Sequence, residues 1–100
     1  MFVVVWKYNI KLENRDAFEL EYGSGGVWEK LFEISEGYAG SYLHRGSEDS
    51  SIYLVIDRWE TREAYDFFIF TNNETYQKIS KLMSHLYESE EKVGTFNLQE

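Results

Sequence analysis

The first ten residues constrain the fold most. The run from Phe2 to Ile10 is rich in β-branched and aromatic residues, the composition of a strand. Its even positions, Phe2, Val4, Trp6, Tyr8 and Ile10, are all large, and Val3 and Val5 carry apolar surface onto the odd positions. Successive side chains of a strand point to opposite faces of its sheet, so this strand demands cover on both. The aromatic content sharpens the demand, since eighteen of the 100 residues are Phe, Tyr or Trp and each can bury roughly 150–250 Å². A chain of this length has room for one core, read here as a single domain over residues 1–100. That core does not easily enclose so much apolar area, which leaves a ligand cavity or a subunit interface to absorb the surplus.

Further along, Asn14 stands as an N-cap before a helix over residues 15–22, with Phe18 and Tyr22 four apart on one face. Gly23-Ser24-Gly25-Gly26 interrupts it as a flexible joint. A second helical stretch places Trp28, Leu31 and Phe32 at spacings of three and four. Residues 38–45 alternate as a strand, Ser47 to Ser51 form a polar turn, and residues 52–59 form a second strong strand. Thr61 then caps a helix with Glu63 in its first turn. Thr71-Asn72-Asn73 breaks that helix, and Tyr76, Ile79, Leu82, Met83 and Leu86 carry a further helical stripe. The acidic runs Glu48-Asp49 and Glu88 to Glu91 read as solvated turns, and residues 93–98 as a closing strand. The order strand, helix, strand, strand, helix, strand is the α+β, ferredoxin-like split βαβ plan with an antiparallel sheet. Both helices lie on one face of that sheet, and the apolar second face predicts a homodimer.

Charge and composition exclude several functions. Ten basic against eighteen acidic residues give a formal charge of −8, which repels phosphate backbones and anionic membrane surfaces. Nucleic acid and membrane are therefore excluded as partners, and no apolar run approaches the ~20 residues of a membrane span. The chain has no Cys, so disulfides and thiolate sites are absent. With no basic leader before the first strand, it is read as cytoplasmic. The two histidines and the scattered carboxylates lack metal-ligand spacing, so no metal is expected. The glycine cluster lacks the Lys and Ser/Thr of a phosphate-binding loop.

Taken together, Tyr22-Gly23 with Gly26 and Trp28, Leu31-Phe32, Gly37-Tyr38, Gly40, Tyr53-Leu54, Asp57-Arg58-Trp59-Glu60, Ala64-Tyr65, Phe68, Tyr76 and Gly94 with Phe96 resemble the antibiotic biosynthesis monooxygenase family. The resemblance covers nearly the whole chain. It implies a dimeric α/β barrel, two ferredoxin-like sheets packed face to face, with a pocket between helices and sheet in each subunit. It also implies a choice of activities: cofactor-independent oxygenation of polycyclic phenols, quinol oxygenation, or heme degradation. Heme degraders of the superfamily use an Asn on the first strand and a Trp and an iron-ligating His in the second helix. The matching positions here hold Lys7, Phe68 and Lys78, which argues against heme.

A cofactor-free oxygenase needs a shaped pocket, a base and a partner for developing negative charge. His44 is the candidate base, because histidine titrates near neutral pH, although a histidine near a hairpin end equally suits a solvated surface. Trp28, Phe32 and Phe68, from the inner helix faces, are the candidate pocket, with the Tyr65 hydroxyl as proton donor; an ordinary aromatic core has the same sequence signature. Trp59 reads as core and Asp57 with Arg58 as a surface or interface pair. The expected function is monooxygenation, without cofactor, of a flat apolar or phenolic molecule. The alternative is a ligand-binding or accessory homodimer of the same fold.

Overall fold

Four strands and three helices order most of the chain's backbone. A computed structural model describes residues 1–100. In chain order the elements are β1 (Phe2–Ile10), α1 (Arg15–Tyr22), α2 (Val27–Phe32), β2 (Tyr38–Arg45), β3 (Ile52–Trp59), α3 (Arg62–Met83) and β4 (Tyr87–Asn97). The sheet order is β2-β3-β1-β4 with every pair antiparallel. This is the ferredoxin-like α+β topology expected from the order of elements.

Register decides which face each residue takes. Val4 pairs with Asp57, Trp6 with Val55 and Tyr8 with Tyr53. The even positions of β1 and the odd positions of β3 therefore share the face that the helices cover. There Phe2, Val4, Tyr8, Ile10, Tyr53, Val55 and Trp59 join Phe18, Tyr22, Trp28, Phe32 and Phe68 in one buried cluster. Trp59 lies at its centre, with ring centroids 5.3–5.5 Å from those of Phe32, Tyr38, Tyr65 and Phe68, spacings at which aromatic pairs attract.

Four local expectations are revised. Residues 71–73 kink α3 without ending it. Only Asn72 leaves helical dihedrals, and the carbonyls freed there are taken up by Thr71 Oγ1 on Phe67 O (2.8 Å) and Asn72 Nδ2 on Phe68 O (3.1 Å). Residues 88–91 are not a turn; they lie within β4, because antiparallel pairing with β1 satisfies their backbone whatever the side chains. Asn14 precedes α1 but makes no side-chain cap, its amide donating to His85 O instead. The glycines before α2 allow close approach: a Cβ at Gly23 or Gly26 would meet backbone oxygens of α1 at 2.5 and 2.3 Å. Thr61 does cap α3, its Oγ1 accepting from Ala64 N at 3.1 Å.

Candidate functional site

An acid sits inside the aromatic layer. Asp57 occupies the inward register of central strand β3, between Val4 on β1 and Ser41 on β2, and is 6% exposed. Its one hydrogen bond comes from Ser41, whose Oγ donates to Oδ1 at 2.6 Å. Burial pushes its pKa up to about 6, and the Ser41 bond limits the rise. A carboxylate so placed is a poised base at neutral pH.

Asp57 faces a cavity of about 20 Å³ lined also by Trp6, Tyr8, Tyr22, Trp28, Phe32, Ser41, Val55 and Tyr76. The lining holds two buried polar atoms, Tyr22 Oη and Trp28 Nε1, that approach each other without completing a hydrogen bond of good geometry. Buried polar groups are nearly always hydrogen-bonded, so two orphans beside a buried acid mark a place suited to a polar ligand. Burial also raises the pKa of Tyr8, Tyr22 and Tyr76, which keeps these phenols neutral donors. Tyr8 donates to Glu90 Oε2 at 2.7 Å, tying the cavity to β4. The volume suits about one water molecule, whereas small-molecule pockets run to roughly 300–1,000 Å³. A quinol-sized ligand therefore requires the aromatic walls to part.

The residues expected at the site separate. Trp28 and Phe32 line the cavity. Phe68 does not; it is buried against Trp59 and Phe32. Tyr65 packs on Phe2 and Trp59 and borders a different surface groove with Lys92. The Trp59 ring fills the space beneath the first turns of α3, so Tyr76, further along that helix, lies over Trp28 with ring centroids 5.1 Å apart. His44 is on the opposite face of the sheet. It pairs with Leu54 and lines an outer groove with Lys7 and Ile52, so the expectation that it faces the pocket with Tyr65 is corrected by strand parity. Asp57, expected at a surface or interface, is instead buried. The signal for it was present, since Asp57 shares strand parity with Tyr53, Val55 and Trp59, and a lone carboxylate in an inward apolar register needs a reason.

No three His, Asp or Glu side chains gather where they could hold a metal ion, and no helix is long and apolar enough to cross a membrane.

A ferredoxin-like sheet whose helix-covered face encloses a carboxylate among aromatic rings defines a class, a small α+β protein with an acid-bearing internal cavity. Within it the chain belongs to the antibiotic biosynthesis monooxygenase family, whose family model matches residues 1–82. No curated protein matches the chain. Among solved structures it is similar to a cofactor-independent oxygenase from Streptomyces nogalater, at 15% identity and a TM-score of 0.71 over 99% of this chain and 93% of that one. A monooxygenase from Streptomyces coelicolor in complex with nanaomycin D is similar at 20% identity and a TM-score of 0.71, over 99% of this chain and 88% of that one. A conserved protein from Methanosarcina mazei Go1 is similar at 19% identity and 0.71, over 98% and 92%. At such identities the likeness is one of fold.

Proposed function

We propose that the protein is a monooxygenase that oxidises a small phenol or quinol without cofactor, with Asp57 as the base. The observation that carries this reading is the buried carboxylate beside two unpartnered donors, Tyr22 Oη and Trp28 Nε1. Family membership supports oxygenation as the reaction class.

The chemistry needs no outside reductant. Asp57 accepts the phenolic proton, and the electron-rich ring carbon of the phenolate bonds to dioxygen. Tyr22 and Trp28 donate to the peroxide so formed, as donors aimed at developing charge do. Loss of the second proton from that carbon to the outer peroxide oxygen breaks the O–O bond, leaving a carbonyl and a hydroxide ion that becomes water with the proton Asp57 took. For 1-naphthol the balance is one naphthol and one dioxygen to one 1,4-naphthoquinone and one water.

The working unit is proposed to be a homodimer formed through the outer sheet face. Val3, Val5, Leu54, Ile56 and Phe96 share that face by register, and Leu54 and Phe96 are exposed. Exposed apolar patches of this kind mark interaction sites, and a self-complementary sheet face suits a two-fold pair.

The test is oxygen uptake, aerobic against anaerobic, with 1-naphthol, 1,4-naphthalenediol and catechol, for the protein and for Asp57→Asn. Uptake that Asp57→Asn abolishes supports the reading. A second reading, a ligand-binding dimer without turnover, rests on the same polar atoms of the cavity lining; saturable quenching of tryptophan fluorescence with no oxygen uptake would select it.

A further inference from the structure

The hydrogen bonds at Asp57 continue outward in one line. Tyr38 donates its hydroxyl proton to Ser41 Oγ at 2.6 Å, and Ser41 donates its own to Asp57 at the same distance. Both bonds are short, and the one to Asp57 lies in the range, about 2.5–2.7 Å, of an O–H donor to an ionised acceptor. Every donor in the line points toward the carboxylate.

Local backbone geometry builds this line deliberately. The even residues Gly40, Tyr42 and His44 pair with Arg58, Ile56 and Leu54 on the outer face, yet Tyr38 pairs with inward-facing Trp59. A register shift between Tyr38 and Gly40 accounts for the change, and Gly40 adopts φ +116°, a value L side chains rarely take. This is a β-bulge, a device that re-aims a side chain and recurs next to active sites. Without it, strand parity would put Tyr38 on the outer face, away from Ser41. Tyr38 is half-buried and belongs to edge strand β2, so the line runs from the interior to the sheet's rim.

No other group competes for the carboxylate. Tyr8 on β1, Tyr22 on α1, and Tyr65 and Tyr76 on α3 face this region, with Glu90 bonded to Tyr8 and Lys92 over the Trp6 and Tyr65 rings. None of them hydrogen-bonds Asp57.

We infer that Ser41 and Tyr38 conduct the proton of Asp57 to solvent. The inference rests on Asp57 being the base. After Asp57 has taken a substrate proton, its Oδ1–H donates to Ser41 Oγ, the Ser41 proton moves to the Tyr38 oxygen, and the Tyr38 proton leaves to solvent, where it neutralises the hydroxide released from the peroxide. Each hydroxyl gains one proton and releases one, so both end neutral. Asp57 ends ionised, with the donors oriented as the structure holds them. The two residues position and relay; they do not touch substrate.

The test compares Ser41→Ala, Ser41→Thr, Tyr38→Phe and Asp57→Asn in oxygen uptake with 1-naphthol, 1,4-naphthalenediol and catechol. Melting curves confirm that each variant is folded. Ser41→Ala and Tyr38→Phe are expected to lower kcat about tenfold or more, a fraction of what acid–base catalysis contributes, with KM within about twofold. Added imidazole buffer, a soluble proton carrier, should restore both, and Ser41→Thr, which keeps the hydroxyl, should retain the rate. Wild-type kcat in both Ser41→Ala and Tyr38→Phe, with Asp57→Asn inactive, overturns the relay and leaves the base standing. An active Asp57→Asn, or no uptake by the wild type with any probe, overturns the base and the relay together.

Discussion

The Ser41 hydroxyl donates to Oδ1 of Asp57 at 2.6 Å and is the only protein group bonded to that buried carboxylate. One hydrogen bond offsets only part of the cost of burying a charge.

Stability should therefore fall as Asp57 ionises. An unfolded Asp titrates near 3.8 and the folded one at about 6, so between those values the folded chain binds more protons than the unfolded one. The stability that the protonated form provides is fully present below about pH 4 and is lost as pH rises through about 6. The shift corresponds to about 3 kcal/mol. Urea unfolding should show Asp57→Asn gaining on the wild type by up to that amount from pH 4 to pH 8; parallel pH profiles for the two proteins would contradict it.

Tyr22 carries a buried hydroxyl without a partner, a defect that costs on the order of 1–3 kcal/mol. Tyr22→Phe removes the orphan and leaves the ring stacked on Phe18 at 4.3 Å. The free protein should become more stable by about 1 kcal/mol. Binding of 1-naphthol, followed by tryptophan fluorescence, should weaken, and unchanged binding would remove Tyr22 from the site.

Gly37 permits close approach of the α2–β2 connection to α3. A Cβ there would lie 2.4 Å from Cβ of Ala64, so Gly37→Ala should destabilise by roughly 1–3 kcal/mol, as overpacking does. Ala64→Gly frees that space, and the double variant should recover much of the loss. Thermal unfolding of the four proteins reads out the coupling, and simple additivity would exclude the contact as the cause.

The outer face offers a separable test of assembly. Ile56 pairs with Val5 and Tyr42 in the middle of that face, outside the buried cluster. Ile56→Glu should therefore leave the subunit folded while placing like charges at the centre of a two-fold interface. Analytical ultracentrifugation should find a dimer for the wild type and a monomer for the variant; a monomeric wild type would dismiss the face as an interface between copies.

The elements were largely legible because their signals are local. Period-two alternation and β-branched content marked β1, β2 and β3, and Thr61 with Glu63 marked the start of α3. Acidic residues 88–91 read as a turn and so shorten the expected last strand, yet acidity says nothing about a backbone paired to β1. Helical spacing places Trp28 and Phe32 on inward helix faces, where both line the cavity. Tyr76 stands in the helical stripe and among the residues of the resemblance but not in the expected pocket, since its approach to Trp28 depends on a kinked helix crossing a sheet.

Sequence alone determined the α+β order and an apolar sheet needing cover on both faces, because these follow from spacing along the chain, while the family followed from a resemblance of its residues. Only the tertiary structure decided that His44 faces outward, that the Gly40 bulge turns Tyr38 inward, and that Ser41 meets Asp57. Strand parity is local, but which parity faces the helices depends on pairing between segments distant in sequence, and a one-residue bulge reverses it.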